Sequence, residues 1–177
     1  MNNTISIQLL KESIRNVPDF PKPGIQFKDI TTALKDPETF QYIVDMISDH
    51  FAGKGITKVA AIESRGFIVG GAVAARLNAG FVPIRKPGKL PAAIYKKSYE
   101  MEYGFDALEI HSDALSKGDV ILIHDDLLAT GGTSFAAIDL INNFNISKIF
   151  LSFIIELTFL NGRKKLSHHE VHSLVQF

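Results

Sequence analysis

Apolar residues at helical spacing predict several amphipathic helices along this chain. The clearest apolar stripe consists of the residues at positions 40, 43, 44, 47 and 51, which would lie on one face of a helix. Asp36-Pro37-Glu38 begins that helix with a capping side chain, a proline in the first turn and an acid near the positive end of the helix dipole. Similar spacing predicts helices at 7–17, 66–77 and 133–144.

Short continuous apolar runs lie between these helices and predict buried strands. They are Val59–Ile62, Phe81–Arg85, Val120–Ile123 and Ile149–Leu157. An alternating segment, Ala107–His111, predicts one more strand, and Val171–Phe177 predicts a last edge strand. Strands that alternate with helices form a parallel sheet that is covered on both faces. The predicted fold class is therefore α/β, with a parallel sheet of about five strands and helices on both faces.

Two segments depart from this pattern, although the length of 177 residues fits a single domain. Residues 1–35 form an N-terminal arm, in which prolines after the first helix force an extended chain. Residues 86–106 hold prolines and glycines without clear periodicity, and predict a long loop or ribbon over the sheet. Between Arg85 and Lys97 there are five basic residues and no acid. Long segments of this kind are often functional lids.

Composition narrows the class of protein further. The formal net charge is zero, with 19 Lys+Arg against 19 Asp+Glu, which argues against a dedicated nucleic-acid binder. The absence of cysteine excludes disulfides, thiolate nucleophiles and cysteine zinc sites. No basic region followed by an apolar core is present at the N-terminus, and no apolar stretch is long enough to span a bilayer. We therefore expect a cytoplasmic protein with no membrane partner.

The segment after the predicted strand Val120–Ile123 is the richest in chemistry, because ligands of parallel sheets bind at the carboxyl ends of strands. Asp125 and Asp126 precede the turn Thr130-Gly131-Gly132-Thr133, which opens a helix. Glycines allow close backbone approach, and N–H groups at a helix N-terminus attract an anion such as phosphate. Adjacent carboxylates suit ribose hydroxyls, or a Mg²⁺ ion carried with a substrate. The segment predicts a phosphorylated-sugar site, and a capped turn with two surface acids is the alternative.

The segment from Asp125 to Thr133 resembles the phosphoribosyl-pyrophosphate motif of type I phosphoribosyltransferases, especially their adenine-using members. The resemblance covers nearly the whole chain, and its other parts are Phe20–Ile30, Glu63–Phe67, Arg85–Pro91 and Glu102–Gly104. It implies a type I phosphoribosyltransferase fold and transfer of the 5-phosphoribosyl group from phosphoribosyl pyrophosphate to adenine, giving AMP and pyrophosphate. It also implies a homodimer and Mg²⁺ that is carried by the substrate, with no protein ligands of its own.

The resemblance implies a role for each matching residue. In the catalytic set, Asp125 and Asp126 contact the ribose hydroxyls and Glu102 manages the purine proton. The 5′-phosphate is bound by Ala129, Thr130, Gly131, Gly132 and Thr133. The pyrophosphate is bound by Arg65, Arg85 and Lys89. The base is bound by Gln26, Phe27, Lys28, Tyr103 and Leu127, although the family commonly has an aliphatic residue and an arginine at positions 26 and 28.

Two other functions remain open at this point. A 6-oxopurine phosphoribosyltransferase usually carries an aspartate at the position of Ala129, and because alanine cannot transfer a proton, Ala129 favours adenine. A non-enzymatic regulator that senses phosphoribosyl pyrophosphate generally adds a DNA-binding domain, for which the first 20 residues are too few. His124 is unusual for the family, and the spacing of His168, His169 and His172 resembles that of metal ligands, although a surface location is the expectation.

Overall fold

The computed structural model describes residues 6–101 and 104–177. Its helices are α1 (Ile7–Ser13), α2 (Thr31–Leu34), α3 (Pro37–Phe51), α4 (Arg65–Arg76) and α5 (Gly132–Ile141). Its strands are β1 (Arg15–Pro18), β2 (Gln26–Asp29), β3 (Lys58–Ile62), β4 (Gly80–Ile84), β5 (Ile94–Met101), β6 (Gly104–His111), β7 (Val120–Leu128), β8 (Lys148–Glu156) and β9 (Glu170–Gln176). Two short 3₁₀ helices, Thr158–Leu160 and Gly162–Leu166, lie between β8 and β9.

A five-stranded sheet in the order β4-β3-β7-β8-β9 forms the centre of the molecule. All its neighbouring strands are parallel, so their carboxyl ends share one edge. Side chains of α3 and α4, such as Ile47 and Val73, pack with Leu122 on one face. Side chains of α5 and β6, such as Leu140 and Ile110, pack with Ile123 on the other face. The α/β prediction, with a parallel sheet covered on both faces, is confirmed.

Helix α3 shows why the predicted elements form where they do. The Asp36 carboxylate accepts a hydrogen bond of 2.8 Å from the Thr39 backbone N–H, which satisfies one of the unpaired donors of the first turn. The predicted apolar stripe is the buried face, and Ile43, Ile47 and Phe51 are almost fully inaccessible to solvent. Capping and burial therefore agree, and the start of the helix was predicted correctly from its sequence.

The N-terminal arm differs from its prediction. Helix α1 ends at Ser13, and the Ile14 backbone N–H closes its last turn onto the Lys11 carbonyl at 3.4 Å. Val17 lies instead in β1, opposite Phe27 in the antiparallel pair β1–β2. Apolar spacing through residue 17 was a misleading helix signal, because these side chains serve a helix and then a strand.

Residues 86–106 are predicted to form a loop or a ribbon, and the structure shows a ribbon from Ile94 onward. Strands β5 and β6 pair antiparallel from Ile94 opposite His111 to Met101 opposite Gly104. The Lys97 ammonium lies 2.7 Å from the Asp139 carboxylate, which joins the ribbon to α5.

Among the described residues, no helix combines the length and apolar character that crossing a membrane requires.

Candidate active site at the carboxyl edge of the sheet

The carboxyl ends of β3, β4 and β7 converge on a cavity of about 420 Å³. Its lining residues are Phe27, Ile62, Glu63, Ser64, Arg65, Lys86, Asp125, Asp126 and Thr133. The structure thus brings together predicted residues from the N-terminal arm, from the loop after β3 and from the segment after Ile123. The loop after β3 meets the acids of β7 because neighbouring parallel strands present their carboxyl ends on the same edge, and Phe27 reaches the cavity from the separate pair β1–β2.

The two acids of this cavity lie within a strand, which corrects the prediction that they follow it. Strand β7 continues to Leu128, because its backbone stays paired with β8 through Leu127 opposite Ile155 and Leu128 opposite Glu156. The predicted strand ended at Ile123 because the next residues are polar. Asp125 and Asp126 are therefore held by the sheet, and the loop of the motif begins only after Leu128.

Asp126 forms an ion pair with the first residue of α4. The Arg65 Nε lies 2.9 Å from an Asp126 carboxylate oxygen, and the Asp126 side chain is only 6% exposed. The Arg65 guanidinium also lies over the Phe27 ring, 4.9 Å from its centroid. Arg65 thus connects the arm that carries Phe27 to the acids of β7.

Burial raises the pKa values of both acids. For Asp125 the largest cause is loss of hydration, followed by repulsion from the Asp126 charge, and its pKa lies well above the ordinary value. For Asp126, loss of hydration also raises the pKa, and the Arg65 charge opposes that change in part. Gly66 helps to crowd this region, since a Cβ there would lie 2.9 Å from the His124 carbonyl oxygen and 3.1 Å from an Asp125 carboxylate oxygen.

A second, smaller cavity of about 60 Å³ lies beside the acids. It is lined by Asp125, Leu127 and residues 129–134. We call residues 129–133 the phosphate loop. Gly131 has φ of 78°, a conformation that glycine adopts without strain, and α5 begins at the next residue. The first backbone N–H groups of a helix have no partner within it, so this loop can donate several hydrogen bonds to an anion.

Arg85 and Lys89, the two basic residues after β4 that were predicted to bind pyrophosphate, do not line the main cavity. Arg85 donates from Nε to the Glu63 carboxylate at 2.9 Å, and hydrogen bonding by Arg85 is the largest cause of a lowered Glu63 pKa. Lys89 is exposed and does not line the cavity. The pyrophosphate roles of Arg85 and Lys89 remain predictions.

Lys86 lines the cavity although we did not select it from the sequence. Its ammonium donates a hydrogen bond of 3.2 Å to the Tyr99 hydroxyl and another to the Asp106 carboxylate. Burial lowers the Lys86 pKa, but these partners outweigh burial and leave the pKa raised. Lys86 therefore stays charged beside the two acids. The run of basic residues between Arg85 and Lys97 indicated that a cation could lie near the site, but the sequence alone could not show which lysine lines the cavity.

The residues predicted to bind the base are divided between two places. Phe27 lines the main cavity and packs edge-to-face against Phe20, with ring centroids 5.2 Å apart. Leu127 lines the smaller cavity. Gln26 accepts a hydrogen bond of 2.7 Å from the Asn16 side chain, and the Lys28 ammonium lies over the Phe177 ring. Neither of those two side chains lines the main cavity. Glu102 and Tyr103 lie outside the described residues.

The structure explains the unusual histidine before the acids. His124 is fully buried, its Nδ1 lies 2.8 Å from the Ser152 hydroxyl, and burial lowers its pKa to about 4. It is therefore a neutral packing residue. His172 stacks on His50, with ring centroids 3.8 Å apart. Within residues 6–101 and 104–177, no group of three or more His, Asp or Glu side chains is arranged to hold a metal ion.

A parallel sheet with a phosphate loop after its middle strand and paired carboxylates beside that loop defines a phosphoribosyltransferase. The profile of the family described as "Phosphoribosyl transferase domain" matches residues 31–171. An adenine phosphoribosyltransferase of Trichlorobacter lovleyi is 54% identical over 168 residues, which cover 95% of this chain and 98% of the relative. The chain belongs to the adenine phosphoribosyltransferase family, as its resemblance predicted.

Solved structures agree with this assignment. The adenine phosphoribosyltransferase of Thermoanaerobacter pseudethanolicus superposes with a TM-score of 0.94 at 48% identity, covering 97% of this chain and 100% of that one. The enzyme of Giardia lamblia, solved in complex with 9-deazaadenine, superposes with a TM-score of 0.94 at 38% identity, covering 98% and 99%. The type I phosphoribosyltransferase fold is therefore confirmed over nearly the full length.

Proposed function

We propose that this chain transfers the 5-phosphoribosyl group of phosphoribosyl pyrophosphate to adenine, releasing pyrophosphate and forming AMP. The observation that carries the proposal is the cavity in which Asp125, Asp126, Arg65 and Lys86 surround an open space next to the phosphate loop. Carboxylates next to a cluster of cations suit a substrate that has ribose hydroxyls at its centre and phosphates at its ends. The family membership supports adenine as the acceptor.

In the proposed reaction, the bond from the ribose C1′ to the pyrophosphate oxygen breaks and the adenine N9 forms a bond to C1′. Positive charge develops on the ribose as pyrophosphate leaves. Asp125 and Asp126 would stabilise that charge while they bind the ribose hydroxyls, and fixed charges of this kind are usually the largest catalytic term. Strand β7 holds both acids in position before the substrate arrives. The N9 proton would pass to Glu102.

The two ends of the substrate would be bound by different elements. The phosphate loop would bind the 5′-phosphate through backbone N–H groups and the hydroxyls of Thr130 and Thr133. Arg65 and Lys86 would bind the pyrophosphate, together with Arg85 and Lys89 once the ribbon closes. We propose that Mg²⁺ enters with the pyrophosphate, where it would neutralise the leaving group, and carboxylate oxygens at the cavity wall suit that ion.

The homodimer remains part of this proposal. Ile68 on α4 and Phe81 on β4 are 48% and 41% exposed, although both are apolar. Strand β4 ends the sheet on that side. An exposed apolar area beside an edge strand suits a second copy of the chain. Light scattering should give the mass of two chains, and Ile68→Glu should halve that mass.

The proposed cytoplasmic location is supported by the absence of cysteine, since a reducing compartment does not favour disulfides.

The decisive experiment mixes the protein with Mg²⁺, phosphoribosyl pyrophosphate and each purine base in separate reactions. We expect pyrophosphate and AMP in the adenine reaction, and much slower release with hypoxanthine or guanine, because Ala129 cannot serve a 6-oxopurine. Equal rates with hypoxanthine would support a 6-oxopurine enzyme. Binding of phosphoribosyl pyrophosphate without turnover of any base would support the sensing regulator. Omitting Mg²⁺ should abolish turnover in every reaction.

A further inference from the structure

We infer that Gly162 and Arg163 are positioning residues that hold the phosphate loop in its binding conformation from behind. Both residues lie in the second 3₁₀ helix, outside every segment that the sequence resemblance pointed to, and neither lines the cavity that holds the acids. The inference rests on the proposed role of the phosphate loop in binding the 5′-phosphate.

Gly162 and the phosphate loop make backbone contact from both sides. A Cβ at position 162 would lie 2.1 Å from the Ala129 carbonyl oxygen and 2.9 Å from the Gly131 nitrogen. A Cβ at position 131 would lie 2.6 Å from the Gly162 carbonyl oxygen. Real Cβ atoms essentially never approach other atoms closer than 3.0 Å. Either side chain would therefore push the two segments apart.

The reasons for glycine differ at the two positions. Gly131 has a positive φ of 78°, so its backbone conformation alone favours glycine. Gly162 is not among the described glycines with positive φ, so any residue could adopt its backbone conformation. Only the contact with Ala129 and Gly131 requires a glycine at position 162. That requirement ties the 3₁₀ helix to the phosphate loop rather than to its own turn.

Arg163 fixes the position of this contact relative to the sheet. Its guanidinium donates to the Glu156 carboxylate at 2.9 Å, to the Val171 carbonyl at 2.7 Å and to the Ser173 hydroxyl at 3.1 Å. Glu156 is the last residue of β8 and lies opposite Leu128, the residue at which β7 gives way to the phosphate loop. The phosphate loop is therefore attached to the sheet through β7, and Gly162 on its other side is held in place by the hydrogen bonds of Arg163 to β8 and β9.

This arrangement predicts how far a substitution would move the loop. To restore ordinary separation, a Cβ at position 162 must move the Ala129 carbonyl by about 0.9 Å, the difference between 2.1 Å and 3.0 Å. Loss of a hydrogen bond to a charged group lowers affinity by about 10- to 100-fold. The loop N–H groups are the part displaced, so binding of the 5′-phosphate should be weakened and binding of adenine should not.

The test compares Gly162→Ala with Gly71→Ala, whose Cβ would meet no atom within 4 Å. For Gly162→Ala we expect the KM for phosphoribosyl pyrophosphate to rise about 10- to 100-fold, with the adenine KM changed by less than about twofold. Gly71→Ala should match the wild type in both constants. An unchanged KM for phosphoribosyl pyrophosphate in folded Gly162→Ala would overturn the inference, and so would an equal rise in both constants.

Two further variants are needed, one in case Gly162→Ala does not fold and one that tests the phosphate loop independently of Gly162. Arg163→Lys keeps the charge but cannot make all three contacts, and should raise the same KM by a smaller factor. If Gly162→Ala does not fold, Arg163→Lys with a wild-type KM would overturn the inference. Thr130→Val tests the loop itself. If Thr130→Val and Gly162→Ala both leave that KM unchanged while the wild type forms AMP, the loop assignment is wrong. If only Thr130→Val raises the KM, the positioning role is wrong.

Discussion

Asp125→Asn should stabilise the folded protein while it inactivates the enzyme. The Asp125 carboxylate is desolvated, lies next to the negatively charged Asp126, and has a pKa well above its ordinary value. The nearby Arg65 forms its ion pair with Asp126. The folded state therefore binds a proton at Asp125 more tightly than the unfolded chain does. For such a group, stability is present at low pH and is lost as the pH rises through the folded-state pKa.

The magnitude follows from what the substitution removes. Asparagine keeps the shape of the side chain and the oxygen that accepts the Asp126 N–H hydrogen bond of 2.9 Å, so the packing should not change. The substitution removes a charge that is desolvated and repelled by the charge of Asp126, and such a buried charge costs about 1–3 kcal/mol. The melting temperature should therefore rise by about 2–4 °C per kcal/mol for a chain of this size. Turnover should fall by about 10²–10³-fold, the usual value of one fixed electrostatic contact.

The assay is urea unfolding of the wild type and Asp125→Asn at several pH values from acidic to mildly alkaline. The difference in unfolding free energy should be small at acidic pH, where Asp125 is protonated, and should reach its full value at alkaline pH. Asp113→Asn is the matched control, because Asp113 is exposed and should show no such trend. Equal or lower stability of Asp125→Asn at alkaline pH would refute the reasoning, and so would a difference that does not vary with pH.

Three further predictions concern other parts of the site. Glu102→Gln should lower kcat by about 10²–10⁴-fold under single-turnover conditions while Glu100→Gln stays near wild type; equal rates would assign the proton to another group. Lys86→Met should raise the KM for phosphoribosyl pyrophosphate with little change for adenine, because it removes a cation from the cavity wall; an unchanged KM would exclude pyrophosphate binding by this lysine. Lys97→Ala should cost less than about 1 kcal/mol in urea unfolding, since its ion pair with Asp139 is partly exposed to solvent; a larger loss would mean that the ribbon depends on it.

The sheet and its helices were predictable because several signals agree at each element. Ile149–Leu157 was predicted as a strand, and β8 spans Lys148–Glu156 as an interior strand of the sheet with both faces buried. Such a strand is apolar at nearly every position, which is easily recognised. The predicted ends of strands were wrong where the side chains become polar although the backbone stays paired with the neighbouring strand. Strand β7 carries two acids at its end, and only its pairing with β8 shows that the strand continues through them.

The site was predictable only in part, because sequence motifs do not show which side chains face each other. The motif from Asp125 to Thr133 identified the acids and the phosphate loop. It could not show that Arg65 pairs with Asp126, or that Lys86 rather than Lys89 lines the cavity. Both facts depend on side-chain direction at strand ends. Gly162 was missed for another reason, since a glycine that serves a contact across the fold has no local signature.

The site has one part that the sheet fixes and one part that is held by contacts from outside the sheet, and the boundary between them is the end of β7 at Leu128. Asp125 and Asp126 lie on a strand that is paired with β3 up to His124 and with β8 up to Leu128, so the sheet fixes the positions of the two acids. The phosphate loop has left the sheet, so it depends on the contact with Gly162 for its shape. The ribbon reaches the site through Tyr99, whose hydroxyl accepts a hydrogen bond of 3.4 Å from Thr133. Substitutions should therefore separate by location: those of the acids in β7 should change turnover, and those behind the loop should change phosphate affinity.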